Sequence, residues 1–153
     1  MKFNIQYATL KDTEVLVRHR LSMWRDILSE PAMPLAGTEE RTLEWIREKL
    51  SSGKLVGLIA KTEEEQIVGS CCIWIREQPP LPISKFLEVP YLMSLYTERE
   101  FRRKGVASLI IETAITWCRA HGYNRVNLDA SEAGKSLYET FGFKPGYGMR
   151  LEL

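Results

Sequence analysis

The stretch from Val89 to Gly122 constrains this chain more than any other. Val89-Pro90-Tyr91-Leu92-Met93-Ser94-Leu95-Tyr96-Thr97 is a short apolar run rich in β-forming residues, the pattern of a buried strand. Beyond it Val106, Ile110, Thr113, Ala114 and Trp117 recur at helical spacing. That predicts a helix over residues 108–119, with Gly122 behind His121 as its terminator. Between the two lies Arg102-Arg103-Lys104-Gly105-Val106-Ala107, so three cations crowd the point where a strand hands over to the first turn of a helix. A helix start carries about half a positive charge, and each exposed cation there is opposed by roughly 0.3–1 kcal/mol. A bound anion reverses the sign, because unpaired backbone N–H groups, the helix dipole and the cationic side chains converge on it. Gly105 and the small Ala107 and Ser108 would let a bulky phosphate come close to the backbone. The other reading is a solvated basic loop whose side chains point into water.

A chain of 153 residues supports one domain with a real core, residues 1–153, rather than two. Its net charge of +1 gives no reason to expect a nucleic acid or an anionic membrane as partner, so any phosphate affinity has to be local. No apolar run reaches the ~18 residues of a membrane helix, and Met1-Lys2-Phe3-Asn4-Ile5-Gln6 is no secretory signal. A cytoplasmic location is expected. Cys71, Cys72 and Cys118 are an odd number and make no disulfide framework, and the adjacent pair should face opposite sides of a strand. With His19 and His121 far apart in the chain, no metal site is expected.

Phe3-Asn4-Ile5-Gln6-Tyr7 alternates apolar and polar, which suits a half-buried first strand. Asp12 is a candidate N-cap for a helix through Val15, Leu16, His19 and Met23, and Thr38 opens a second helix through Leu43, Ile46 and Leu50. Residues 54–61 and 66–76 read as two strands joined by the acidic turn Glu63-Glu64-Glu65, short enough for an antiparallel hairpin. Gln78-Pro79-Pro80-Leu81-Pro82 belongs in an exposed loop. A strand at 125–129, a short helix at 133–141 and a final strand pair at 144–153 complete the chain. The expected fold is α/β (α+β): one mixed, mostly antiparallel central sheet with helices on both faces, in the order β-α-α-β-β-β-α-β-α-β-β.

Arg-x-x-Gly-x-Ala after a strand and opening a helix resembles the acetyl-CoA pyrophosphate loop of the GCN5-related N-acetyltransferases. Two further blocks are similar to that family in the same order. One is Leu95-Tyr96-Thr97 leading through Phe101 into the loop. The other is Ser131-Glu132-Ala133-Gly134-Lys135-Ser136-Leu137-Tyr138-Glu139-Thr140-Phe141-Gly142-Phe143. The likeness covers residues 91–143. It implies that acetyl-CoA is a co-substrate, with no metal, and that a primary amine of a small molecule or peptide attacks the thioester directly in a ternary complex. It also implies that backbone N–H groups of Arg102, Arg103, Lys104, Gly105, Val106 and Ala107, with Ser108 beside them, take the pyrophosphate. Leu95, Tyr96 and Thr97 would pair with the pantetheine arm, which requires the central strand to diverge from the strand at 125–129. Tyr138 aligns with the tyrosine that meets the departing sulfur, and Ser131 stands where the family often has a cofactor-touching asparagine. Pairing into a homodimer through Met149-Arg150-Leu151-Glu152-Leu153 is a further implication.

An alkylamine with a pKa near 10.4 is on the order of one part in a few thousand neutral at pH 7, so something must accept its proton. Glu98, just past the central strand, is the carboxylate candidate, with a solvated loop glutamate as the competing reading. Glu88 and His19 are weaker candidates, and His121 sits ~24 Å down the helix from Gly105 at 1.5 Å per residue. The acceptor pocket would be lined by the first two helices, the Pro31–Gly37 and Gln78–Val89 loops, and Trp24, Met33, Trp74 and Tyr147. A non-catalytic acyl-CoA sensor or interaction module is the alternative from another class. A nucleotide hydrolase is disfavoured, because Lys104-Gly105 inverts the Gly-Lys order of a phosphate-binding Walker loop.

Overall fold

The computed structural model describes residues 2–28 and 36–153. Strand β1 (Phe3–Tyr7) is followed by helices α1 (Thr13–Leu28) and α2 (Thr38–Ser51), then by strands β2 (Leu55–Thr62), β3 (Ile67–Glu77) and β4 (Glu88–Thr97). Helix α3 (Val106–Ala120), the short strand β5 (Asn127–Leu128) and helix α4 (Lys135–Thr140) complete the regular structure. The five strands form one sheet in chain order, antiparallel from β1 to β4 and parallel between β4 and β5. This is the expected mixed sheet, with the expected hairpin between β2 and β3.

Strand alternation sends the core to both faces. Leu58, Val68, Cys71, Ile73 and Leu92 pack against Val106, Ile110, Ala114 and Cys118 of α3. Leu55, Ile59 and Cys72 pack on the other side against Leu16 and Val17 of α1 and Ile46 of α2. Cys71 and Cys72 are thus buried free thiols on opposite faces. Burial pushes the Cys72 thiol up to about 12, so it stays protonated and behaves as a small apolar side chain.

Three expectations are corrected. Thr9, not Asp12, caps the start of the first helical segment; its hydroxyl accepts from the Lys11 N–H, while Asp12 Oδ2 accepts from the Thr9 N–H at 2.8 Å. The expected strand at 125–129 pairs only at Tyr91↔Asn127 and Leu92↔Leu128. Residues 144–153 form no strand pair: they have no regular structure and are exposed, with Tyr147, Met149, Leu151 and Leu153 at 103, 99, 82 and 115% of full accessibility. Alternation specifies which side chains share a face but not which sheet edge will accept the backbone, and no edge within the single chain does so.

The β3/β4 register carries an extra residue. Ser70 faces Tyr96 and Cys72 faces Met93, so β4 bulges at Ser94, whose φ is +60°. A non-glycine residue there costs of order 1–3 kcal/mol and must be held by its surroundings. Arg20 Nη1 donates to Ser94 Oγ at 2.9 Å, and the Cys71 thiol donates to the neighbouring Met93 carbonyl at 3.4 Å. Beside the bulge, α3 rides unusually close to β3 at Gly69. A Cβ there would meet the Tyr96 carbonyl oxygen at 2.8 Å and Val106 Cγ1 at 3.1 Å. Gly69→Ala should therefore destabilise the fold by roughly 1–3 kcal/mol, an overpacking cost read as a lowered urea midpoint. An unchanged midpoint would mean that α3 is free to shift.

Candidate active site

Because β4 and β5 pair no further than Leu92, the two strands part from Met93 onward. A cleft of about 1330 Å³ opens at the split and continues between β4 and the helices α1 and α2. Leu95, Tyr96 and Thr97 line its floor, with Arg102, Arg103, Gly105, Val106, Ala107 and Ser108 at one end and Ser131 and Tyr138 along one wall. All the expected site residues except Glu98 and Lys104 are therefore gathered around one cavity. Lys104 lies within the same loop.

The loop is built to leave donors free. Gly105 sits at φ +84° with nothing within 4 Å of where a Cβ would be, and Arg103 also has positive φ, +61°. The first backbone bond of α3 runs from the Leu109 N–H to the Gly105 carbonyl at 3.0 Å. The amides of Val106, Ala107 and Ser108 precede it and have no intrahelical carbonyl to meet. Arg102 plays a different part from its neighbours. Its N–H is taken by the Arg99 carbonyl at 3.3 Å, and its Nε donates to the Thr97 carbonyl at 2.9 Å. Its Nη2 meets Asp26 Oδ2 at 2.8 Å, and its guanidinium lies 5.4 Å from the centre of the Tyr96 ring. The Arg102 hydrogen bond, more than that of Arg99, holds the Asp26 carboxyl below its usual range against the effect of burial. Arg102 is thus a strut tying the loop to α1. Arg103 and Lys104 are the cations without a partner among the described residues.

Tyr138 projects from α4 into the cleft, 5.8 Å edge-on to Phe143. Burial raises its phenol well above the ordinary value, so the hydroxyl keeps its proton. Ser131 lines the cleft, but its Oγ accepts from the Gly134 N–H at 3.1 Å, capping the turn into α4. Glu98 is held outside the cleft: its Oε1 accepts from Arg18 at 2.8 Å and meets His19 Nε2 at 2.9 Å. Burial would raise its carboxyl, yet the bonds and charges of Arg18 and His19 outweigh that and hold it low. His19, fully buried, also meets Ser70 Oγ at 2.7 Å through Nδ1. Trp24 and Trp74 line the cleft as expected, whereas Tyr147 does not. The loop around Gln78 and Val89 borders a separate small pocket with Tyr123. Met33 and most of the Pro31–Gly37 loop lie outside the described residues.

Among the cleft residues that escaped the sequence reading are Arg20, Arg76, Ser94 and Asp129. Asp129 follows β5 at the mouth of the split and accepts a short hydrogen bond from the Tyr91 hydroxyl. Burial first, and then Asp129, pushes the Tyr91 phenol up to about 12, so it acts as the donor. No local motif marks any of them; a polar residue just past the carboxyl end of a parallel strand is the signal that could have found Asp129.

A divided parallel pair beside a helix start with unpaired amides leaves strand edge and N–H donors open to one cleft. A model of the acetyltransferase (GNAT) family matches residues 21–143, and the chain belongs to that family. A GCN5-related N-acetyltransferase from Ralstonia eutropha superposes with a TM-score of 0.90 at 23% identity, over 99% of both chains. An acetyltransferase from Clostridium acetobutylicum, solved with acetyl-CoA, superposes with a TM-score of 0.86 at 26% identity, over 99% of this chain and 96% of that one. Human N-acetyltransferase 8 is 30% identical over 84 residues, which are 53% of this chain and 35% of the human protein. The match thus spans about a third of that relative.

The buried His19 makes stability pH-dependent. Burial lowers its pKa, the Glu98 bond opposes that, and the Arg18 charge adds to it. The fold therefore holds His19 neutral, while the unfolded chain takes up a proton below about 6.5. Stability should fall as the pH drops from about 6.5 toward the lower folded value, and His19→Gln should flatten that part of the curve. A slope unchanged by His19→Gln in urea titrations would assign the effect to other groups.

Proposed function

We propose that this protein transfers an acetyl group from acetyl-CoA to a primary amine by direct attack in a ternary complex. The observation that carries the reading is the split between β4 and β5, ending at a helix start whose amides and two cations are unengaged. The amides of Val106, Ala107 and Ser108, with Arg103 and Lys104, hold the pyrophosphate. The free edge of Leu95, Tyr96 and Thr97 pairs with the pantetheine arm. Acetyl-CoA, when bound, supplies a thioester carbonyl open to attack.

Asp129 is the carboxylate at the mouth of the split, and it takes the proton that an ammonium must shed before it can attack. The amine nitrogen forms the new C–N bond as the C–S bond breaks. Its second proton goes to the sulfur, which leaves as a thiol. Tyr138, protonated throughout, donates a hydrogen bond to that sulfur as charge builds on it. Glu98 belongs to the scaffold in this reading, since His19 and Arg18 occupy it. Gly105→Val, which adds a branched side chain at φ +84° and covers the amides, should weaken acetyl-CoA binding at least about tenfold in calorimetry. Tyr138→Phe should lower kcat by roughly 10²-fold with little change in acetyl-CoA affinity. Turnover equal to wild type would remove the tyrosine from the chemistry.

The same reading includes a homodimer. Four large apolar side chains at alternate positions of the tail, Tyr147, Met149, Leu151 and Leu153, are fully or almost fully exposed. A monomer in water gains nothing from that arrangement, whereas a second copy offers a sheet to receive it. Sedimentation should give a dimer, and truncation after Gly146 should give a monomer. A monomeric full chain would count against the pairing.

A further inference from the structure

The acceptor side of the cleft carries a charge pattern that the acetyl-transfer reading does not require. Six arginines and three carboxylates line the cavity, and one of those carboxylates, Asp26, is spent on Arg102 and Arg99. Two of the arginines, Arg20 and Arg76, lie close enough to Tyr91 for the charge of each to act on its phenol. Neither has a carboxylate within ion-pair distance among the described residues. Arg20 is half-buried, and burial lowers its pKa, a sign that its charge is poorly solvated. Its one protein hydrogen bond, to Ser94 Oγ at 2.9 Å, leaves most of a five-donor fork unused. The Arg76 guanidinium carbon lies over two aromatic rings, 4.2 Å from the centre of Tyr91 and 5.3 Å from that of Trp74. Such cation–π contacts hold a guanidinium beside the rings without using up its N–H donors.

The walls beside these forks are apolar. Trp45 meets Trp74 edge-on at 5.0 Å, and Trp74 meets Tyr91 edge-on at 6.1 Å. Asp129 faces the same space through its bond to Tyr91. One negative charge, two unpaired planar cations and an indole wall thus surround a single volume.

Resting on the acetyl-transfer reading, we propose that the acceptor is an amino-acid-like zwitterion. Its ammonium meets Asp129, its carboxylate is gripped by Arg20 and Arg76, and its apolar side chain lies against Trp45 and Trp74. A carboxylate suits a planar fork and brings a single charge into a partly desolvated site. A phosphate dianion would fit the forks but would also sit close to Asp129, a like charge.

The test uses the full chain with acetyl-CoA and four amines: phenylalanine, phenylalanine amide, phenethylamine and phosphoethanolamine. Acetylation of phenylalanine should exceed that of the amide and of phenethylamine by at least about tenfold in kcat/KM, the size of one lost charge-assisted interaction. Arg76→Gln should remove that preference by raising KM for phenylalanine while the acetyl-CoA Kd stays unchanged. Arg20→Gln should also raise KM for phenylalanine, and Arg76→Gln decides alone if that variant fails to fold or loses acetyl-CoA affinity through its support of Ser94. Equal or better use of the two amines without a carboxylate overturns the proposal, and so does a preference for phosphoethanolamine. Where turnover is low, calorimetry with N-acetylphenylalanine against its amide decides the same point: equal or absent binding of the acid overturns the proposal. A chain that does not bind acetyl-CoA at all sinks the acetyl-transfer reading instead, a different result from acetyl-CoA binding without selectivity.

Discussion

The bulge at Ser94 is the feature on which the site depends. One residue too many in β4, at φ +60°, swings the strand away from β5 just past Leu92. Without it the parallel pairing would run on, and the backbone groups of Leu95 to Thr97 would be consumed by the sheet. The conformational cost is met from both faces. Arg20 of α1 reaches the Ser94 hydroxyl from one side, and Cys71 reaches the Met93 carbonyl from within β3. Arg20 therefore ties the acceptor side of the cleft to the element that opens the cofactor side.

Electrostatics in the loop divides labour among residues of one type. Arg102, Arg103 and Lys104 are adjacent and equally charged, yet Arg102 is neutralised by Asp26 and braced against Thr97 and Tyr96. Its task is mechanical: it pins the loop to α1 so that the helix start points into the cleft. With one cation paired, the helix dipole is opposed by two charges rather than three. The close approach of α3 at Gly69 then sets the depth at which the free amides lie. Geometry, rather than net positive charge, is what turns the helix start toward the cleft.

The strand, loop and helix from Val89 to Gly122 were legible because their signals are local: β-formers in a run, helical spacing, a glycine where φ turns positive. The face assignment of Cys71 and Cys72 followed from strand alternation alone. What escaped the sequence reading depends on pairing across distance. The bulge arises from the mismatch between Ser70–Cys72 and Met93–Tyr96, which neither strand shows by itself. Arg20 and Arg76 carry no local mark of a role, and only the fold brings both near Tyr91. The tail from 144 to 153 shows the converse error: a sound alternation with no edge in its own chain to pair with.

Glu98 and Asp129 show why a carboxylate cannot be given a chemical role from its position along the chain. Both follow a strand that borders the split, and Glu98 is the nearer of the two to the anion loop in sequence. Glu98, however, accepts from Arg18 and binds a histidine that is itself buried against Ser70. Drawing it into the cleft would leave His19 Nε2 without its partner in a buried position, at a cost of about 1–3 kcal/mol. Among the described residues Asp129 has a tyrosine as its one hydrogen-bonding partner, a neutral donor that leaves its second oxygen open. A proton-accepting group needs an uncompensated charge facing the substrate, and by that measure the carboxylate after β5 is fit for chemistry while the one after β4 holds the scaffold together.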